Sequence, residues 1–189
     1  MYKRQVYHNL NINLVSSGGG FTYGVLGMSH HATEDLSVLN CIPGITITAP
    51  STKWETKEVF NQLLKLRGVT YLRLEKNASD LVPKNKKLNL GNLNNYVKGS
   101  KFAIICIGGI FSECYSAVKK LQTRKINISL YTLSSLKPIN EKNFIKTLKN
   151  YHTIMTVEEN NFLGGLGSTI ASIINKYSIN CKHKIISTD

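Results

Sequence analysis

The chain has 189 residues, 42% hydrophobic and 19% charged, with a formal net charge of +13; that suits one large domain or two small ones and excludes a disordered or fibrous class. No apolar run approaches the roughly 20 residues needed to cross a bilayer, and the opening MYKRQVYHNLNINL lacks an apolar signal core, so a cytoplasmic protein without membrane contact is expected. The lysines are dispersed apart from Lys84, Lys86 and Lys87 and do not alternate with aromatics, so the positive charge is read as favouring solubility and anionic substrates, with no nucleic-acid partner.

In chain order, the spacing predicts a short strand over 11–15 and a turn at Gly18-Gly19-Gly20, with the first five residues read as foreign to the native chain. A helix is expected from about Thr33 to Cys41, since Leu36, Leu39 and Ile42 fall at helical spacing, and Pro43-Gly44 stops it. Residues 45–49 read as a strand closed by Pro50. Thr52 and Glu55 have capping-box spacing for a helix running to about Leu66. Gly68 ends it, and 69–74 is a further strand; strand, helix, strand implies a parallel sheet. The asparagine-rich 81–99, with Pro83, reads as a linker with at most a short hairpin. A second unit follows: a strand over 102–107, a helix placing Phe111, Cys114, Val118 and Leu121 on one face, a strand over 126–133, a helix opened by Pro138 and Asn140, a strand over 153–157, a helix over 168–177, and a last strand over 184–187. Such alternation indicates a small doubly wound α/β domain.

Three stretches are candidates for chemistry. GGGFTYGVLGMSHHATED joins a flexible glycine turn to adjacent imidazoles, His30 and His31, which suit proton transfer or a polar ligand; a glycine turn with a surface histidine and a capping one is the alternative. Arg73 lies in a strand between apolar neighbours and needs either an anionic ligand, such as a substrate phosphate, or a carboxylate such as Glu75, Glu34 or Asp35. TVEENNFLGGLG sets Glu158 and Glu159 before glycines that open a helix, a weak signal for acid–base work or phosphate binding and more often a tight connection. Cys41, Cys106, Cys114 and Cys181 form no CxxC pair, so they read as buried thiols, with no zinc.

The run GGGFTYGVLGMSHHATEDLSVLNCIPGITITAPSTKWE resembles the transketolase-like pyrimidine-binding domain, most closely that of two-subunit transketolases with their G-x-x-H-H-A-T-E-D motif. IICIGGIFSECYSAVKKL, SLYTLSSLKPIN and MTVEENNFLGGLGSTIA resemble the transketolase C-terminal domain. The resemblance implies an α/β fold with a partial pyrimidine-binding domain over 6–80, a linker over 81–99 and a C-terminal domain over 100–189. It further implies a thiamine diphosphate site shared with an N-terminal transketolase subunit, which would hold the diphosphate and a divalent metal such as Mg through a GDG-type motif absent here, in a hetero-oligomer. By that match His30 faces the pyrimidine amino group and the donor sugar, His31 is characteristic of the split subfamily, and Arg73 grips the substrate's terminal phosphate. Leu26 stands where single-chain members carry an acid, and Gly18 lies near the place of a substrate histidine, so a sugar other than the ordinary pentose phosphates is expected. The family's domain begins well upstream, in a part with the glutamate that bonds the pyrimidine ring; the isolated chain is therefore expected to be inactive and to leave sheet edge and core exposed. Two other readings stand beside this one: a 1-deoxyxylulose-5-phosphate synthase-like enzyme, which usually has glutamine where this chain has His31, and a non-catalytic assembly subunit.

Overall fold

A computed structural model describes residues 2–76 and 78–188. A helix α1 (Tyr2–Tyr7) precedes β1 (Ile12–Ser17); α2 (Asp35–Asn40), β2 (Thr46–Thr48), α3 (Lys53–Leu63) and β3 (Val69–Leu74) follow. The second half contains β4 (Leu93–Val97), β5 (Lys101–Cys106), α4 (Phe111–Thr123), β6 (Ile128–Leu133), β7 (Ser135–Lys137), α5 (Glu141–Leu148), β8 (Tyr151–Asn161), α6 (Leu166–Lys176) and β9 (Lys182–Thr188). One sheet has the order β1-β3-β2-β7 and the other β4-β6-β5-β8-β9. β1, β3 and β2 are parallel, as are β6, β5, β8 and β9, which agrees with the α/β reading.

Local chemistry explains most boundaries. Thr52 in extended backbone accepts the Glu55 N–H at 3.1 Å, and the Glu55 carboxylate reaches back to the Ser51 N–H at 2.8 Å, so the capping signal opens α3. Asn140 accepts the Asn143 N–H and opens α5. Gly44, at φ +79°, follows α2 where a residue with a Cβ would be strained.

Two departures concern how the halves join. Residues 93–97, read as linker, form β4, which pairs antiparallel with β6; the second sheet thus begins inside that segment. β7 leaves the second half and pairs antiparallel with β2 of the first sheet. One buried apolar cluster accordingly spans both halves, from Leu36, Ile47 and Tyr71 through Ile105, Leu133 and Leu136 to Phe144, Ile154 and Ile170. Such continuous burial opposes independent motion of the halves. Cys106 and Cys114 are buried as expected, whereas Cys41 is exposed. β1 is an edge strand, with Val15 56% exposed on it. Among the described residues no helix is long and apolar enough to cross a membrane.

Candidate functional site

The carboxyl ends of β1, β3, β5 and β8 bring the singled-out stretches together. Leaving β1, the chain turns through Gly18, at φ +90°, whose N–H donates to the Leu74 carbonyl. Gly20 and Ala32 then exchange both backbone hydrogen bonds at 3.0 Å. This pinch makes 21–31 a closed surface loop, wound internally into single turns over Gly24–Leu26 and Met28–His30. The glycines at its neck are a packing requirement: a Cβ on Gly19 would lie 2.4 Å from Arg73 Nε, and one on Gly20 2.6 Å from Glu159 Cβ.

His30 stands exposed on this loop, its Nδ1 3.1 Å from Ser29 Oγ. His31 is half-buried; its Nε2 lies 3.2 Å from the Gly24 carbonyl oxygen and its ring packs edge-on to Phe21 at 5.0 Å. A carbonyl can only accept, so Nε2 is the donor in this contact. Val25, Leu26, Met28 and Phe21 are exposed beside them, Val25 at 98%. The sequence reading placed the two imidazoles together but did not foresee an apolar loop displayed to solvent.

Arg73 is fully buried beneath the neck. Its Nε donates to Glu75 Oε1 at 3.1 Å and its Nη1 to Asp35 Oδ1 at 3.1 Å, with a longer contact to the Ala32 carbonyl. Burial opposes the guanidinium's charge, but Glu75 and Asp35 outweigh it and raise its pKa. Asp35 also accepts from Tyr71 Oη at 2.6 Å, so Ser16 Oγ, 2.8 Å from that hydroxyl, is the donor to it. The guanidinium therefore ties the start of α2, the end of β3 and the stem of the histidine loop together. The two carboxylates take Nε and Nη1, whereas Nη2 is buried with no hydrogen-bond partner, which leaves one arm of the fork for a further acceptor. Two of the three carboxylates considered as its partners are the actual ones; Glu34 is not.

Glu75 meets Glu159 from the second sheet over Gly109: a Cβ there would lie 3.1 Å from Glu75 Oε2 and 3.3 Å from Glu159 Oε2. Burial raises both carboxyl pKa values. The charge of Glu75 adds to the rise at Glu159, whereas Arg73 and the Gly109 N–H offset part of the rise at Glu75. The charge of Arg73 and the Phe21 N–H offset part of the rise at Glu159. Glu158 has another task. Its carboxylate accepts the Leu166 and Gly167 N–H groups at 2.7 Å each, closing the start of α6; burial pushes its pKa up to about 7 against those two bonds. The helix start weighed as a phosphate cradle is filled by this side chain.

One polar centre went unread. Glu55 is fully buried where the halves meet, and accepts from Tyr96 Oη at 2.8 Å, Asn94 Nδ2 at 3.2 Å and the Thr132 hydroxyl, besides the Ser51 N–H. Its partners on β4 lay in the segment read as linker, which hid them. Among the described residues no three His, Cys, Asp or Glu gather as a metal site.

The family profile described as "Transketolase, pyrimidine binding domain" matches residues 3–80, and "Transketolase, C-terminal domain" matches 91–187. A "Putative transketolase C-terminal section" of Methanocaldococcus jannaschii is 28% identical over 179 residues, 93% of this chain and 56% of the relative. One of the subunits of an apulose-4-phosphate transketolase of Actinobacillus succinogenes is 27% identical over 172 residues, 90% of this chain and 55% of the relative. The chain thus spans about half the length of these curated relatives. A solved structure described as "Split gene transketolase, inactive beta4 tetramer" superposes with a TM-score of 0.83 at 21% identity, covering 97% of this chain and 59% of that one; the likeness is one of fold.

Proposed function

Because the chain belongs to the transketolase family through its pyrimidine-binding and C-terminal domains, we propose that it supplies the pyrimidine side of a thiamine diphosphate site in a split enzyme that transfers a two-carbon ketol unit between sugar substrates. The observation that carries this reading is the His30 loop. Its imidazole is exposed at the carboxyl ends of the strands, with Nε2 turned from the Ser29 contact of Nδ1, on a loop whose neck is fixed by the buried Arg73–Asp35–Glu75 network. This end of an open α/β sheet is where ligands bind. The residues present fit one side of the cofactor: the exposed His30 imidazole beside the apolar Val25 and Met28 can meet an aromatic ring and its amino group.

Thiamine diphosphate, when bound, supplies the nucleophilic carbon. His30 holds or moves a proton at a polar atom of the bound ligand; His31, its Nε2–H donating to the Gly24 carbonyl, keeps the loop in shape. The diphosphate and its divalent metal come with an N-terminal transketolase subunit, which also covers the exposed apolar loop in a hetero-oligomer. Arg73, through its partnerless Nη2, is the cation for a substrate's terminal phosphate, and the exposed Lys76, its Nζ 5.7 Å from the Tyr23 ring centre on the same loop, is a second. Leu26, without charge, supports a substrate other than the ordinary pentose phosphates.

The test is ketol transfer from β-hydroxypyruvate by the chain co-purified with that subunit, cofactor and Mg. Substituting His30 by Ala should lower the rate about 10²- to 10⁴-fold without lowering the unfolding temperature, and the isolated chain should be inert. Full activity of the Ala variant, or turnover by the chain alone, overturns the proposal.

A further inference from the structure

We propose a second binding site, for an oligophosphate, at the opposite end of the second sheet from His30. Two adjoining cavities of about 630 and about 590 Å³ share Lys101, Asn150 and Tyr151. Lys98, Lys101, Lys149 and Lys182 rim this continuous trough, and no Asp or Glu lines it. All four lysines are exposed, and among the described residues none takes part in a salt bridge.

Topology explains why they converge. β5 begins at Lys101, β8 at Tyr151 and β9 at Lys182, and the three are parallel neighbours, so their amino ends lie side by side. β4 runs antiparallel to β6 and delivers Lys98 to the same end. Lys101 itself turns at φ +58°, the left-handed region a lysine seldom adopts. Of the four, only Lys149, which follows α5, has a helix carboxyl end to complement; the others sit at strand ends, where the backbone does not call for a cation.

The floor is polar but neutral. Tyr131 and Tyr151 pair through their hydroxyls at 2.6 Å, and Tyr151 donates on to Ser129 Oγ at 2.9 Å, so these groups are already engaged. Phe102, 45% exposed, forms an apolar flank. A ligand's charge must therefore be met by the ammonium groups, which serve phosphate as point charges.

The size of the trough is that of a small-molecule site. Four unpaired like charges around one cavity repel each other until an anion enters, and a di- or triphosphate balances them where a single phosphate cannot. The cations ring a cavity of small-molecule size, and no run alternates them with stacking aromatics, which favours a small anion over a polynucleotide. β5 spans six residues, which puts the trough on the order of 20 Å from the histidine loop. The site does not depend on the function proposed above.

The experiment is calorimetric titration of the 189-residue chain with inorganic tripolyphosphate at low salt. One site should saturate and weaken as salt is added. The double variant K101E/K182E should bind about tenfold or more weakly, while K57E/K120E, the same charge change on α3 and α4, should bind as the parent does. Should K101E/K182E fold poorly, K98Q/K149Q serves instead, read by the same titration. Absent binding, equal weakening by both double variants, or tighter binding of a single-stranded oligonucleotide than of tripolyphosphate would each overturn the proposal.

Discussion

Substituting Arg73 by Met tests whether this residue is an internal counter-ion or a ligand-facing cation. Met approximates the length of the side chain and removes its charge. Glu75, with a side chain 2% exposed, would keep only the Gly109 N–H, whereas Asp35, 20% exposed, would keep Tyr71 and some water. Deleting one partner of a buried ion pair costs about 3–5 kcal/mol. Asp35 is partly relieved by solvent, so most of the loss falls on Glu75, and about 3–4 kcal/mol is expected. That is a large share of the roughly 5–15 kcal/mol by which a domain is folded. Urea unfolding followed by Trp54 fluorescence reads it directly. Lys at the same position should lose about 1–3 kcal/mol, since one ammonium replaces a fork that bonds two carboxylates. Adding Glu75→Gln to the Met variant should restore part of the loss by removing the stranded charge. A Met variant that unfolds within about 0.5 kcal/mol of the parent would refute the counter-ion argument, for that is the behaviour of a surface residue.

Three further outcomes follow from the same packing. Glu158 has its carboxyl raised by burial from 4.5 to about 7, so its contribution is fully present below pH 4.5 and is lost as pH rises through 7; Glu158→Gln should remove a stability slope on the order of 3 kcal/mol between those limits, read from urea midpoints across pH, and an unchanged slope would count against the assignment. Glu55→Ala removes the acceptor shared by four donors at the junction of the halves, of which Asn94 and Tyr96 keep other partners, and should cost about 2–4 kcal/mol in thermal or urea unfolding; a neutral result would mean water replaces the carboxylate. Gly20→Ala places a Cβ 2.6 Å from Glu159 Cβ at φ +56°, whereas Gly24→Ala, without a positive φ, meets only Phe21 Cβ at 3.9 Å, so the first should be the more destabilising by about 1–2 kcal/mol, and equal costs would show that the neck of the loop yields.

The sequence revealed elements whose side chains pattern by themselves. β3 was readable because VTYLRL is an apolar run bounded by Gly68, and the structure has it over the same residues, Val69–Leu74. β4 was not: LNNYV has little strand propensity, and it is a strand because β6 offers pairing and Glu55 binds its inward Asn94. β7 was hidden by brevity, three residues that cross to the other sheet. At the site, adjacency marked His30 and His31, and glycines marked the turn. Arg73 carried both of its readings in the sequence, and the structure gives it two carboxylate partners while leaving its Nη2 without one. The run from Glu158 to Gly167 read mainly as a tight connection, which it is, but the part Glu158 plays in it was hidden, because its helix-closing bonds run to residues eight and nine positions on, a distance that no local pattern reports.

The most direct measurement of the central claim is the imidazole resonance of His30 in the 15N-histidine-labelled chain, followed while thiamine diphosphate, Mg and the N-terminal subunit are added together. The account predicts that the His30 signals shift on assembly while those of His152, exposed on the trough at the far end of the sheet, stay in place. Cofactor bound in the complex with His30 unmoved would contradict it.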